Sequence, residues 1–453
     1  MCSLVPAATL AVSMNRPFRF LSRSKSDDLT VPAEPGRDDS GSRIRSPQGP
    51  ISWRRNLNAI FVSQLLAIVA FSLRAPFLPF FLGDLGLDSP EQQALWSGYI
   101  NAAGAGVMAI TAPIWGMVAD KRGRKPMLLR AQLAAFCTIG LMGLATEPWH
   151  LLALRMIEGA LTGTVVAATA LVATSTPKER LGFGLGLVQT AVFSGSALGP
   201  LFGGILADGL GYRVTFGIAS GMMLSGGLVT LFVIKERFTP QPKGSASVPQ
   251  ERIWQLLLAP ALLSLAGVML IIRFASSAIQ PIMPLFVEHL AEGISNASTL
   301  SGITLGILGV TSAISSIYLG KLGDKRGHRQ ILIACTLGSG LIYLPMAMAQ
   351  NPYQLIVLQA IFGIFAGGMI PAANALIAAE TAPERRGVVY GLMAAAQSVG
   401  GFIGPLAGAG FAALAGFRYT FAATGIVLLA LFLVLVFLWR KQPPPEELPT
   451  ATA

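Results

Sequence analysis

Charge is scarce in this sequence. Only 12% of its 453 residues are Asp, Glu, Lys or Arg, about half of the roughly 25% usual in a soluble domain. So little polar surface cannot face water on every side, which excludes an ordinary soluble globule. Cysteine and histidine are scarcer still, at three each. Cys2 lies in a polar tail, while Cys137 and Cys335 sit inside apolar runs as small fillers, so no disulfide framework is implied. His150, His289 and His328 fall in polar connections or at the ends of apolar runs, where a solvated imidazole is the simplest reading. No metal centre and no nucleophile constellation is expected from this set. A phosphate-binding loop is missing too: Gly182-x-Gly184-x-Gly186 follows no strand and opens an apolar run, so these glycines serve packing. The chain is therefore not expected to be an enzyme or to carry a cofactor.

What it has is apolar length. It is 53% hydrophobic, with a mean hydropathy of +0.62. A spanning helix needs roughly 20 mostly apolar residues. Twelve such blocks can be drawn, at about 56–82, 95–119, 126–146, 149–173, 182–206, 212–234, 258–288, 298–320, 330–350, 353–379, 387–410 and 416–438. They are rich in Ala, Leu and Gly and lack period-two alternation, which favours helices over a barrel. The 50 glycines suit helices that approach closely in lipid. The expected class is an all-α integral membrane protein of twelve helices.

The net charge of +11 concerns topology rather than nucleic acid. With the N-terminus inside, the short inner loops hold Lys121, Arg122, Arg124, Lys125, Lys178, Arg180, Lys235, Arg237, Lys243, Arg252, Lys321, Lys325, Arg326, Arg329, Arg385 and Arg386. The outer loops hold only Arg213 and Arg418. That asymmetry predicts a multi-pass protein of the plasma (inner) membrane with both termini cytoplasmic. Residues 1–52, rich in Ser, Arg, Pro and Asp, read as a disordered cytoplasmic tail without a signal peptide, with Met14 as an alternative start. Residues 441–453 read as a short polar tail.

The chain repeats itself. Gly116-x3-Asp120-Lys121-x-Gly123-Arg124-Lys125 recurs 204 residues later as Gly320-x3-Asp324-Lys325-x-Gly327. Gly199-Pro200-x2-Gly203 recurs 205 later as Gly404-Pro405-x2-Gly408, and Gly211-x-Arg213-x2-Phe216 as Gly416-x-Arg418-x2-Phe421. Pro76 and Pro79 map onto Pro281 and Pro284 at the same offset. One constant spacing predicts two pseudo-symmetric six-helix bundles, 53–236 and 256–440, joined by a cytoplasmic linker at 237–255. Substrate would bind between them.

The loop from Gly116 to Lys125 resembles the signature of the major facilitator superfamily between its second and third helices. The resemblance covers Trp53 to Arg440. In particular, the segments 52–57 and 70–79 look like the bacterial twelve-helix, MdtG-like multidrug efflux group of drug–proton antiporters. It implies a gate. Asp120, where the second helix leaves the membrane, would meet the positive N-terminus of helix 11 near Gly387 and hold the cytoplasmic side shut. An acidic residue expected at the inner end of helix 4 is missing: Thr174 and Ser175 stand there, Glu179 is already in the loop, and Glu380 occupies the related end of helix 10.

Helix 5 carries Gly186-x8-Gly195-x3-Gly199-Pro200-x2-Gly203-Gly204, which resembles the antiporter signature of drug–proton exchangers. Helix 4 carries Arg155-x2-Glu158, and the family associates an arginine at this place with proton transfer. The resemblance thus implies proton-coupled efflux of small organic molecules by a monomer in the bilayer, with the proton gradient as energy source. An organic-anion or metabolite carrier on the same fold is the alternative, and a transporter-like receptor without flux a third.

Four ionisable residues lie deep in the spans: Arg74, Arg155, Glu158 and Arg273. At 1.5 Å per residue, Arg74 and Glu158 sit about 12–14 Å below the outer surface and are expected to pair. Arg273 falls near the midplane, where the second half offers only neutral Gln359 and Asn374. In this fold helices 1, 4, 7 and 10 line the cavity, so an anionic substrate group is expected.

Overall fold

In the computed structural model of the chain, the described residues are 52–177, 180–236, 260–291, 296–381 and 386–440. The expected tails, the linker and the charges at Lys178, Glu179 and Arg385 lie outside them, as do the side chains of Asp120, Glu380 and Arg386.

Fifteen helices are described: α1 Trp53–Leu73, α2 Leu78–Asp84, α3 Pro90–Arg122, α4 Arg124–Met142, α5 Pro148–Leu161, α6 Thr164–Ser175, α7 Leu181–Leu210, α8 Tyr212–Phe232, α9 Pro260–Ile279, α10 Met283–Leu290, α11 Ala297–Arg326, α12 His328–Ala347, α13 Pro352–Glu380, α14 Arg386–Ala415 and α15 Phe417–Arg440. Helix ends follow local chemistry. Ser89 caps α3 by accepting from the Gln92 N–H at 3.3 Å ahead of Pro90, and Lys121 and Arg122 close its last turn, favourable at the negative end of the helix dipole.

The apolar blocks map onto these helices with three differences. The first block splits between α1 and α2 and the seventh between α9 and α10, each at a proline pair that removes helix N–H donors. The fourth splits into α5 and α6 with no proline at the break. Thr162 is extended there (φ −96°, ψ −167°), and Gly163 has φ +128°, a conformation glycine tolerates best. The third difference is a count: eleven helical segments, not twelve, are long and apolar enough to cross a membrane among the described residues. The segment α4 falls short because Arg124, Lys125 and Arg130 share its 19 residues.

The repeat is visible atom by atom. The Arg213 guanidinium donates to the Gly143 carbonyl at 3.0 Å and lies over Phe81, while Arg418 donates to the Ala347 carbonyl at 3.1 Å and lies over Phe286. Glycines set the close approaches inside each half. A Cβ at Gly195, Gly199 or Gly203 of α7 would strike α1 at Ile68, Ser72 or Leu73. In the same way, Gly400, Gly404 and Gly408 of α14 leave room for Leu270, Ser277 and Ala278 of α9.

We call the end carrying the basic loops inner. The halves meet on two seams. On one, α7 meets α11 through Gly204 against Ser298, Gly302 against Pro200 and Gly309 against Ala197. On the other, α3 meets α14 through Gly98 against Pro405 and Gly106 against Phe402. All these contacts lie in the outer part or middle of their helices. Toward the inner end, Gly116, Gly182, Gly186, Gly320 and Gly391 face open space, with no described atom within 4 Å of an added Cβ. Among the described residues, the close glycine contacts between the halves thus lie in the outer and middle parts of the seams.

Candidate functional site

The deepest charges gather on one spot of the first half. Arg74 sits in the turn between α1 and α2, and its guanidinium bridges Glu158 of α5 at 3.0 Å. Arg155, one turn before Glu158, bridges the other carboxylate oxygen at 2.7 Å. Glu158 is fully buried (0% exposed) and Arg74 nearly so, while Arg155 remains half-buried. Gly104 of α3 makes the room: a Cβ there would lie 2.8 Å from Arg155 Nε. One carboxylate shared by two arginines carries a net positive charge. The expected Arg74–Glu158 pairing is present, and Arg155 completes a triad.

Just beyond the triad, the break in the fourth span strands carbonyls that would otherwise bond four residues onward. Side chains of α3 take them up. Thr111 Oγ1 donates to the Gly159 carbonyl at 3.4 Å and Trp115 Nε1 to the Ala160 carbonyl at 2.6 Å. The Trp115 ring also lies 3.4 Å beneath the Arg130 guanidinium, a cation–π contact. A chain of contacts thus runs from the triad through Trp115 to the inner end of α3, five residues before Asp120.

Among the described residues, the second half has no such triad. Arg273, midway along α9, has an exposed side chain that lies against Gly400 and Gly401 of α14. No described acidic side chain pairs with it. Gln359 is 3% exposed, and its side-chain oxygen lacks a hydrogen-bond partner. Asn374 is half-buried, and only its main-chain carbonyl is engaged, by the Tyr390 hydroxyl at 3.3 Å. The structure does not bring these three residues into contact.

The basic loop is bound within its own half. The Arg124 guanidinium donates to the Ala170 carbonyl midway along α6, and Lys125 Nζ to the Leu231 carbonyl at the end of α8. The main-chain N–H groups of Arg124 and Lys125 both donate to the Glu236 carboxylate, at 2.8–3.0 Å. Lys121 is exposed, and Gly123 and Gly327 carry φ +92° and +94° at the two tight turns. In the second copy, Asp324 pairs with His328 at 3.2 Å. Sequence reasoning missed Glu236 because it sought the acid of this cluster on the fourth span. The signal was a carboxylate on a strongly basic inner face, held in place by Asn56, whose amide bonds both backbone groups of Lys235. Removing this cap by Glu236→Ala is expected to cost about 1 kcal/mol, read as a lowered unfolding midpoint in detergent, with Glu236→Asp intermediate.

Of the antiporter-type stripe, Gly195, Gly199 and Gly203 pack α7 on α1, Gly204 packs it on the other half beside Pro200, and Gly186 faces open space.

Comparisons place this geometry among known proteins. The Major Facilitator Superfamily profile matches residues 60–314 and again 265–453. The chain is 39% identical over 380 residues to the multidrug resistance protein MdtG of Citrobacter koseri, covering 84% of this chain and 94% of that one. It is 37% identical over 399 residues to MdtG of Serratia proteamaculans, covering 88% and 96%. Among solved structures, it matches an inward-facing, occupied bacterial homolog of the human lysosomal transporter Spinster with a TM-score of 0.70 at 16% identity, over 87% of this chain and 98% of that one.

Proposed function

The chain belongs to the major facilitator superfamily, and from that premise we propose that it is a proton-coupled exporter of drugs or similar small organic molecules. It works as a monomer in the bacterial inner membrane with both termini cytoplasmic. Its relatives' name as multidrug resistance proteins supports the export of drugs. The observation that carries proton coupling is the fully buried Glu158 between Arg74 and Arg155. A carboxylate that deep in lipid is costly unless paired and is usually functional. Protonation gives up both ion pairs at once and frees Arg155, which is already partly exposed. The contacts of Thr111 and Trp115 with the broken span give that change a path toward the inner gate.

Gating rests on Asp120. In the outward-facing state its carboxylate lies on the positive N-terminus of α14, a charge–dipole contact worth about 0.3–1 kcal/mol if exposed and up to ~2 if partly buried. Asp120→Asn is expected to shift the carrier severalfold toward inward-facing and to remove most transport at equal expression. Asp324→Asn is expected to matter less, because that copy lacks the full basic run. Normal export by the Asp120 variant would count against the gate.

Arg273, which pairs with no described acidic side chain, favours a second reading, an organic-anion or metabolite carrier. The sign of the pH effect separates the two. Antiport requires a proton to weaken substrate binding. A proton on Glu158 instead makes the cavity more positive and so strengthens binding of an anion. Purified protein in proteoliposomes, with an imposed pH gradient and a panel of cationic, neutral and anionic compounds, tests both readings. Counter-movement of protons and drug supports export, and movement of both in one direction supports the anion carrier.

A further inference from the structure

At the closed outer end of the α7–α11 seam, a carboxylate of one half sits on a helix N-terminus of the other. Asp208, on the last turn of α7, accepts the Thr299 main-chain N–H at 2.7 Å. Thr299 is the third residue of α11, so its N–H has no acceptor within its own helix. Beneath this contact, Gly204 meets the Ser298 backbone and Gly302 meets Pro200, which fixes the reach between the two helices. Among the described residues, Asp84, Asp208 and Glu288 lie near the Tyr212 phenol at this corner.

The other seam has no counterpart. The position 205 residues after Asp208 is Ala413, and α3 meets α14 there through Gly98, Pro405 and Ala409. At the inner end of the Asp208 seam no related contact is made among the described residues: Asp324 pairs with His328 in its own turn, and α7, entered at Arg180, has no side-chain cap. The Asp208 contact spans the two halves, so it exists only while the outer ends are together.

We propose that Asp208 is an outer latch, a positioning residue that stabilises the inward-facing state by holding the N-terminus of α11 across the outer mouth. It opposes the inner contact assigned to Asp120, and alternation exchanges one charge–dipole contact for the other. This rests on alternating access, not on the proton or the substrate.

The test is a distance measurement on the full chain in lipid nanodiscs, without substrate or pH gradient. Spin labels go on Trp149→Cys and Tyr353→Cys, exposed positions at the outer starts of α5 and α13, with Cys2, Cys137 and Cys335 changed to Ser. Asp208→Asn keeps the side-chain shape and removes the charge. It is expected to raise the ratio of outward- to inward-facing molecules roughly two- to fivefold, as loss of an exposed charge–dipole contact implies. Asp208→Glu, which keeps the charge, is expected to stay near the wild type. An unchanged ratio in Asp208→Asn overturns the latch, and so does an equal shift in Asp208→Glu. Failure of the drug or proton assignment leaves this measurement unaffected.

Discussion

Glu158→Gln is expected to transport without regard to pH. In proteoliposomes with one unit of pH gradient, a one-for-one proton exchanger sustains about a tenfold substrate gradient, since one unit is worth about 1.36 kcal/mol. The Gln variant sustains none, yet still exchanges labelled for unlabelled substrate, because the cavity and both seams are intact. Glutamine resembles the protonated carboxyl: it fills the same space and accepts from one arginine, and it cannot release a proton. Glu158→Ala goes further. It leaves Arg74 buried beside Arg155 with no anion, and breaking such a buried pair costs about 3–5 kcal/mol, so poor expression is expected. Arg74→Gln is the control. Glu158 then keeps Arg155 at 2.7 Å as a neutral pair, and pH dependence survives with a shifted midpoint. A pH profile of Glu158→Gln that matches the wild type would move the proton site out of the triad.

Much of this arrangement can be read from the chain, for physical reasons. The two halves announce themselves because the same contact is made twice, and Arg213 and Arg418 must each reach a carbonyl over a phenylalanine. The Arg74–Glu158 pair follows from depth alone, since opposite charges at one level in lipid have strong cause to meet. The break at Thr162–Gly163 is different. No proline marks it, and the side chains that make it tolerable, Thr111 and Trp115, lie about fifty residues away on another helix. Glu236 was hidden for a related reason. Capping α4 needs a carboxylate within reach of two N–H groups, and any neighbouring helix end can supply it. Asp208 looks in sequence like a polar residue before an outer loop. Its partner is a backbone N–H, a donor that every residue but proline carries.

Arg273→Gln is expected to reduce transport of anionic compounds about tenfold or more while sparing neutral ones. The argument begins with a charge count. The described interior holds Arg74, Arg155 and Arg273 against Glu158, and the triad consumes that one anion. Arg273 lies on α9 in the other half, packed against Gly400 and Gly401, which have no side chains to crowd it. An arginine in that setting offers a planar fork that matches a carboxylate or phosphonate with two parallel hydrogen bonds. Truncating one partner of a desolvated, hydrogen-bonded charge pair typically costs 2–5 kcal/mol, or roughly 30-fold and upward in affinity. Competing solvation in an open cavity lowers that toward tenfold. Lysine keeps the charge and loses the fork, so Arg273→Lys is expected to fall between Gln and wild type for anions. The neutral compounds supply the contrast. If Arg273 merely braces α9 against α14, Gln lowers transport of neutral and anionic compounds alike, and the fall tracks protein stability. Robust export of simple lipophilic cations by the wild type would contradict the charge argument directly, because a cavity with excess positive charge repels them.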